Sequence, residues 1–176
     1  MENRKEYFIT QEKENEVYNK LVLDIEITSF NKFKIDPNDT LILNVSPDYS
    51  SIISQKLSHH FSSKEGEIID VLNINVPYPD ETDMEWYNTK IDLLLKELSD
   101  IDYTNFIFVE AGIIRGSNYK WIEDKFTKQY NRNKLLFCAL FENINSKFKS
   151  DCVGEYYNDN LEDLTFYWER FNKHFK

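Results

Sequence analysis

The sequence predicts an α/β fold built on a largely parallel sheet. Three observations predict it. Short runs such as TLILNV and KLLFCALF are almost continuously apolar, as strands buried on both faces are. Segments of helical period separate those runs. The connections are short, so right-handed crossovers between parallel neighbours follow.

Each element has its own justification. Thr10 can cap a helix over Gln11 to Ser29, with acids early in the run and Val17, Leu21, Ile25 and Phe30 near helical spacing. Pro37 in KIDPND ends it. Thr40 to Val45 is the first buried strand, SPDYSS a turn, and Ser51 to Phe61 a helix. Glu67 to Val76 is the second strand. After the break at PYPDETD, Asp83 can cap a helix from Met84 to about Leu98, with Ile91, Leu94, Leu95 and Leu98 inward. Asn105 to Glu110 is the third strand, Tyr119 to Tyr130 the helix after it, and Lys134 to Phe141 the fourth strand. The remainder is expected to be irregular, aromatic and polar. In such sheets ligands sit outside the carboxyl ends of the strands. Ser46 to Ser51, Glu110 to Asn118 and the tail after Phe141 converge there.

Composition narrows the function. At 176 residues, with 41% hydrophobic and 15% aromatic side chains, the chain fits one domain, 1–176, with a real core. The formal charge of −10, with no dense Lys/Arg stripe, argues against a nucleic-acid partner. No apolar run is long enough to span a membrane, and MENRKEYF is not a signal peptide. Cys138 and Cys152, without an export signal, read as free thiols of a cytoplasmic protein. Neither has a His or Cys at ligand spacing, so no metal site is expected.

The stretch FIFVEAGIIRGSNYKW, Phe106 to Trp121, carries the functional question. It holds two of the four glycines of the chain. Apolar residues run into one acid, Glu110, and then into a turn with an arginine before a helix. Successive N–H groups at such a turn form an anion nest, and glycine lets the backbone approach closely. The candidate ligand-binding residues are Glu110, Ala111, Gly112, Ile113, Ile114, Arg115, Gly116, Ser117 and Asn118.

FIFVEAGIIRGSNY resembles the phosphoribosyl-pyrophosphate (PRPP) loop of type I phosphoribosyltransferases. The tail SKFKSDCVGEYYNDNLEDLTFYWER is similar to the C-terminal hood of the 6-oxopurine members, with Lys149, Asp151, Gly154, Glu155, Phe166, Trp168 and Glu169 in register. The resemblance covers nearly the whole chain. It implies a central parallel sheet of about five strands flanked by helices, with a small hood over about 142–176. It also implies PRPP and a purine base as substrates, Mg²⁺ at the pyrophosphate, and a homodimer.

Residue by residue, the implied chemistry is mostly replaced. Glu110 keeps the first acid, and Ala111 stands for the second. Ile114 stands for the loop aspartate that would move a proton, and Arg115 and Asn118 for threonines; Gly116 is kept. Ser46-Pro47-Asp48-Tyr49 lies opposite the pyrophosphate loop, where Pro47 lacks a donor and Asp48 repels anions. Asn143 lies opposite the lysine that reads the purine O6, and Asp163 and Leu164 near the stacking aromatic. A helix, Met84 to Leu98, stands where a mobile flap would close the site. No residue is left to assign as catalytic.

Several readings remain open at this stage. The loop is a phosphate nest or a retained turn. Arg115 binds phosphate bidentately or makes a surface ion pair. Glu110 holds a sugar hydroxyl or satisfies adjacent helix-N-terminal backbone. His59 and His60 suit the negative end of a helix better than a metal. The whole is a catalytically degenerate phosphoribosyltransferase-like protein that binds a phosphorylated ribose, nucleotide or small anion, or serves as a regulatory module. Its alternatives are an active transferase with Mg²⁺ and PRPP, and a purely structural partner-binding protein.

Overall fold

The computed structural model describes residues 6–62, 66–74, 84–158 and 163–166. In chain order the elements are β1 (Glu6–Ile9), α1 (Gln11–Lys32), β2 (Thr40–Asn44), α2 (Pro47–His60), β3 (Asp70–Asn73), α3 (Met84–Ser99), β4 (Asn105–Ile113), α4 (Ser117–Phe126), β5 (Leu135–Asn143), β6 (Cys152–Tyr157) and β7 (Asp163–Phe166). The main sheet has five strands in the order β3-β2-β4-β5-β6, all parallel. β1 and β7 pair in a separate parallel ribbon. The expected α/β fold with a five-stranded parallel sheet is what forms.

The central strands explain why. β2 and β5 are buried at every position, and β4 at all but Gly112. One face carries Ile42, Ile107, Val109, Leu136 and Leu140 against Val17, Leu21 and Ile25 of α1 and Ile53 and Leu57 of α2. The other carries Leu43, Phe106, Phe108 and Phe137 against Ile91, Leu95 and Leu98 of α3 and Tyr119, Ile122 and Phe126 of α4. Backbone polar groups are spent on the ladder, so these strands need no polar side chains.

The structure corrects several expectations. The Thr10 hydroxyl accepts from the Lys13 N–H at 3.2 Å, as a cap should, but α1 runs on to Lys32. Phe30 is 90% exposed, and Ser29 and Phe33 take the inward places. A step of five from Ile25 lands about 140° round the helix, whereas a step of four stays on its face. SPDYSS is no turn: α2 starts at Pro47, since proline suits the first helical position. Among the described residues β3 spans Asp70–Asn73 and is mostly exposed, and Asn75 and Val76 of the expected strand lie outside them. The N-terminal cap expected of Asp83 lies outside the described residues. β4 continues to Ile113, α4 covers Ser117–Phe126, and β5 runs to Asn143.

The tail is more regular than expected. Cys152–Tyr157 forms the edge strand β6, with alternate rather than continuous burial. The Val153 N–H donates to Asp24 Oδ2 of α1 at 2.9 Å. Gly154 lies so close under α1 that an added Cβ would meet Val17 Cγ1 at 2.6 Å, the Val17 carbonyl oxygen at 2.7 Å and the Leu140 carbonyl oxygen at 2.8 Å. Asp151 accepts from the Phe137 N–H at 2.9 Å and from both Lys32 and Arg132, tying the start of β6 to α1 and β5. Glu155 pairs with Lys13 and Lys20. Phe166 is buried against the Phe141 ring. Trp168 and Glu169 lie outside the described residues. Cys138 and Cys152 face each other in register, buried and unbonded, and burial beside Cys152 pushes the Cys138 thiol well up.

Candidate functional site

β2 and β4 are neighbours, and each runs into a helix at its carboxyl end. Two helix N-termini, those of α2 and α4, therefore stand on the same rim of the sheet. Ser46 caps α2 and Gly116 caps α4, and neither cap makes a side-chain hydrogen bond to its helix. The first N–H groups of a helix have no partner within it.

β4 outruns β2. The last contact is the Val45 N–H donating to the Val109 carbonyl at 3.1 Å, and Glu110 follows directly. Of the nine candidate residues, Glu110, Ala111, Gly112 and Ile113 therefore lie in the strand, not in a loop. The turn is only Ile114, Arg115 and Gly116, and Ser117 and Asn118 open α4. The expectation of a loop from 110 to 118 is corrected for its first half, because pairing with β5 holds Gly112 opposite Phe141 and Ile113 opposite Glu142.

The strand half is closed to solvent. Glu110 is 8% exposed and its carboxyl is turned toward the start of α2. Ser50 Oγ donates to Glu110 Oε1 at 3.5 Å, the long end of a hydrogen bond, and accepts from the Ala111 N–H at 2.8 Å. Burial pushes the Glu110 carboxyl up to about 7, while hydrogen bonds from Ser46 and Ser50 pull the other way. Ala111 and Ile113 are core residues. A Cβ on Gly112 would meet Leu164 Cδ1 of β7 at 2.9 Å.

The turn half faces outward. Ile114 and Arg115 are exposed, as is Ser117, while Asn118 is half-buried with an Oδ1 that has no hydrogen-bond partner. Gly116 has φ 74°, the left-handed conformation that glycine adopts without a Cβ penalty. Its Cα lies under Ser146 and Phe148, where a Cβ would meet Ser146 Oγ at 2.5 Å and Phe148 Cβ at 2.7 Å. The Lys147 N–H donates to the Arg115 carbonyl at 3.2 Å, which brings a second exposed cation to the turn. Tyr119 fixes the helix start from below, with its hydroxyl 2.5 Å from the Cys138 carbonyl and 3.2 Å from that of Phe108. Gly116→Ala is expected to cost about 2 kcal/mol, combining left-handed strain with a tight fit against Phe148. Urea unfolding would measure it, and an unchanged midpoint would mean the turn is slack.

Asn143, opposite the base-reading lysine of the resembled family, is 6% exposed and accepts from the Asn145 N–H at 2.8 Å. Lys149 donates to the Ile144 carbonyl at 2.7 Å. Both are thus committed to the 143–149 turn. Sequence reasoning placed Ser46 and Ser50 at the rim but missed their bond to Glu110, and missed Lys147 altogether. No local pattern announces a contact between residues sixty positions apart. A surface groove of about 870 Å³ lies elsewhere, between α1 and α2, lined by Asn15, Tyr18, Gln55, Lys56 and His59 among others. Among the described residues, no group of three His, Cys, Asp or Glu side chains could hold a metal ion. No helix among them is long and apolar enough to cross a membrane.

No family model matches the chain, and no curated protein matches it in sequence. Solved structures do. The chain is similar to the xanthine-guanine-hypoxanthine phosphoribosyltransferase of Helicobacter pylori, with a TM-score of 0.63 and 15% identity over 98% of each chain. It is also similar to a purine phosphoribosyltransferase of Pyrococcus horikoshii, with a TM-score of 0.56 and 13% identity over 93% of each chain. The likeness shows the fold, that of the type I phosphoribosyltransferases.

Proposed function

From a fold shared with purine phosphoribosyltransferases, we propose that this chain is a catalytically degenerate member of that architecture. It binds a phosphorylated ribose, nucleotide or other small anion at Ile114 to Asn118. The observation that carries the reading is Gly116. It opens α4 in a left-handed conformation with no side-chain cap, beside Arg115, Ser117 and Lys147. Backbone N–H groups and cations at one helix start favour phosphate.

Among the described residues, the same rim departs from the chemistry that transfer needs. A proton-moving aspartate is replaced by Ile114, and Ala111 is packed in the core. Mg²⁺ with PRPP would need carboxylates open to the ligand. Among the described side chains of the strand end the acid is Glu110, and it is buried against Ser46 and Ser50, so the described residues do not fit that ion.

The test is thermal unfolding of wild type and Arg115→Ala against ribose 5-phosphate, nucleoside monophosphates, phosphate, and PRPP with Mg²⁺. A ligand at a hundredfold above its Kd stabilises by about 2.7 kcal/mol, several degrees for a domain this size. We expect a shift in wild type that Arg115→Ala loses. PRPP consumption with a purine base would overturn the degenerate reading in favour of an active transferase. A second reading, a partner-binding module, is favoured by exposed Leu23, Ile27 and Phe30 along one side of α1. No shift with any anion, together with a molar mass in solution above the 21.1 kDa of one chain, would favour it instead.

A further inference from the structure

We propose that α1 is a self-association surface: its outer face packs antiparallel against the same face of a second copy of this chain. The second copy is then the occupant of the exposed apolar stripe on α1, whether or not an anion binds at Ile114 to Asn118. α1 is apolar on two sides. Val17, Leu21 and Ile25 face the sheet. Leu23, Ile27 and Phe30 lie on the opposite side, with Leu23 and Ile27 more than half exposed and Phe30 90% exposed. A surface helix needs one apolar face to dock on its own domain, so a second such face calls for a partner.

Spacing and charge say what that partner is. Glu16, Lys20, Leu23, Ile27, Phe30 and Lys34 follow one another in alternate steps of four and three, the repeat of a helix-pairing seam. Run antiparallel about a two-fold axis, two such seams set Leu23 on Ile27 of the second copy, Phe30 on Lys20, and Glu16 on Lys34. The axis makes each pairing occur twice. Apolar meets apolar, a lysine covers an aromatic ring, and an acid meets a base. A parallel pairing would set each of Glu16, Lys20 and Lys34 on its own copy, like charge on like. Within the chain these three make exposed ion pairs, Glu16 with Lys20 and Lys34 with Asp36, which are exchanged at little cost. The group set against the arrangement is Glu26, which flanks the axis in both copies; His60 Nε2, 3.2 Å from its Oε1, offsets it within its own chain. The seam is about 27 Å long and one helix wide, short of the roughly 800 Å² per partner of a standard interface. The groove between α1 and α2 adjoins it at Asn19 and carries Ile52, and Phe30 of the second copy, arriving beside Lys20, reaches that edge. The dimer is therefore weak and reversible.

The experiment is sedimentation equilibrium of the full chain over a range of concentrations. It compares wild type, Phe30→Asp, Glu16→Lys, Lys34→Glu and the double variant Glu16→Lys with Lys34→Glu, each checked for folding by circular dichroism. All three positions are exposed, so the fold should persist. Wild type should climb from 21.1 kDa toward twice that mass as concentration rises. Phe30→Asp should weaken association at least about tenfold, since each dimer loses two rings. Each single charge reversal should weaken it about fivefold, and the double variant, which swaps acid and base, should return to within about twofold of wild type. Wild type that stays at 21.1 kDa at every concentration would overturn the inference and leave the stripe to a different protein. A dimer indifferent to Phe30→Asp would overturn it too, because its interface would lie elsewhere. A double variant no stronger than the singles would overturn the antiparallel pairing. Anion binding is read separately: a dimer lost in Phe30→Asp supports the inference even where no anion binds.

Discussion

Gly154→Ala should lower stability by about 3 kcal/mol, a fall in Tm of about 6–12 °C for a domain of this size. The added methyl would sit 2.7 Å from the Val17 carbonyl oxygen and 2.8 Å from the Leu140 carbonyl oxygen. Side chains can rotate away from an intruder, but these two atoms belong to the backbones of α1 and β5. Only lifting the helix from the sheet makes room, and that loosens Val17, Leu21 and Ile25 together. Trimming Val17 to alanine removes the third contact, 2.6 Å to Cγ1, and should give little relief. Wild-type stability in Gly154→Ala, within about 0.5 kcal/mol, would show that α1 can shift freely on β6.

Glu110→Gln should stabilise the protein above neutral pH by about 3 kcal/mol and have little effect near pH 4. Burial holds the folded carboxyl at about 7, against 4.5 in an open chain. Between those values the folded state binds more protons than the unfolded state. The Glu110 contribution to stability therefore falls as pH rises from about 4.5, and levels off once the carboxyl is charged above about 7. Glutamine keeps an acceptor for Ser50 and carries no charge to desolvate. The other carboxylates titrate alike in both proteins, so the difference between their pH profiles isolates this group. Urea unfolding at several pH values measures it, and parallel profiles would mean the Glu110 carboxyl is solvated.

The sheet was legible where the physics is redundant. TLILN and LLFCALFEN are buried along their length, NFIFVEAGI at all but Gly112, and they admit few other readings. β6 escaped because an edge strand alternates: CVGEYY puts Cys152, Gly154 and Tyr157 inside and Tyr156 outside, which resembles a polar tail. β1 and β7 are short and pair with each other rather than with the main sheet. SPDYSS reads as a turn because Ser, Pro and Asp cluster there, although the first turn of a helix tolerates proline. At the site, Gly116 was legible, since a turn into a helix calls for a residue without a Cβ. The direction of Glu110 was not. Whether an acid at a strand end faces solvent or a neighbouring helix depends on Ser50, which only the fold brings near.

The bond between Val153 and Asp24 bears on how this chain keeps to itself. An open sheet offers its outer strands as templates, and strangers can add to them as further strands until insoluble fibrils grow. On the β6 side the Val153 amide already has a carboxylate from its own helix at 2.9 Å. An incoming strand would have to displace that bond and bring its own carbonyl against an acid. The opposite margin, β3, is four residues long and offers little to copy. Asp24 thus occupies an edge amide that an added strand would need, away from any ligand at the far rim.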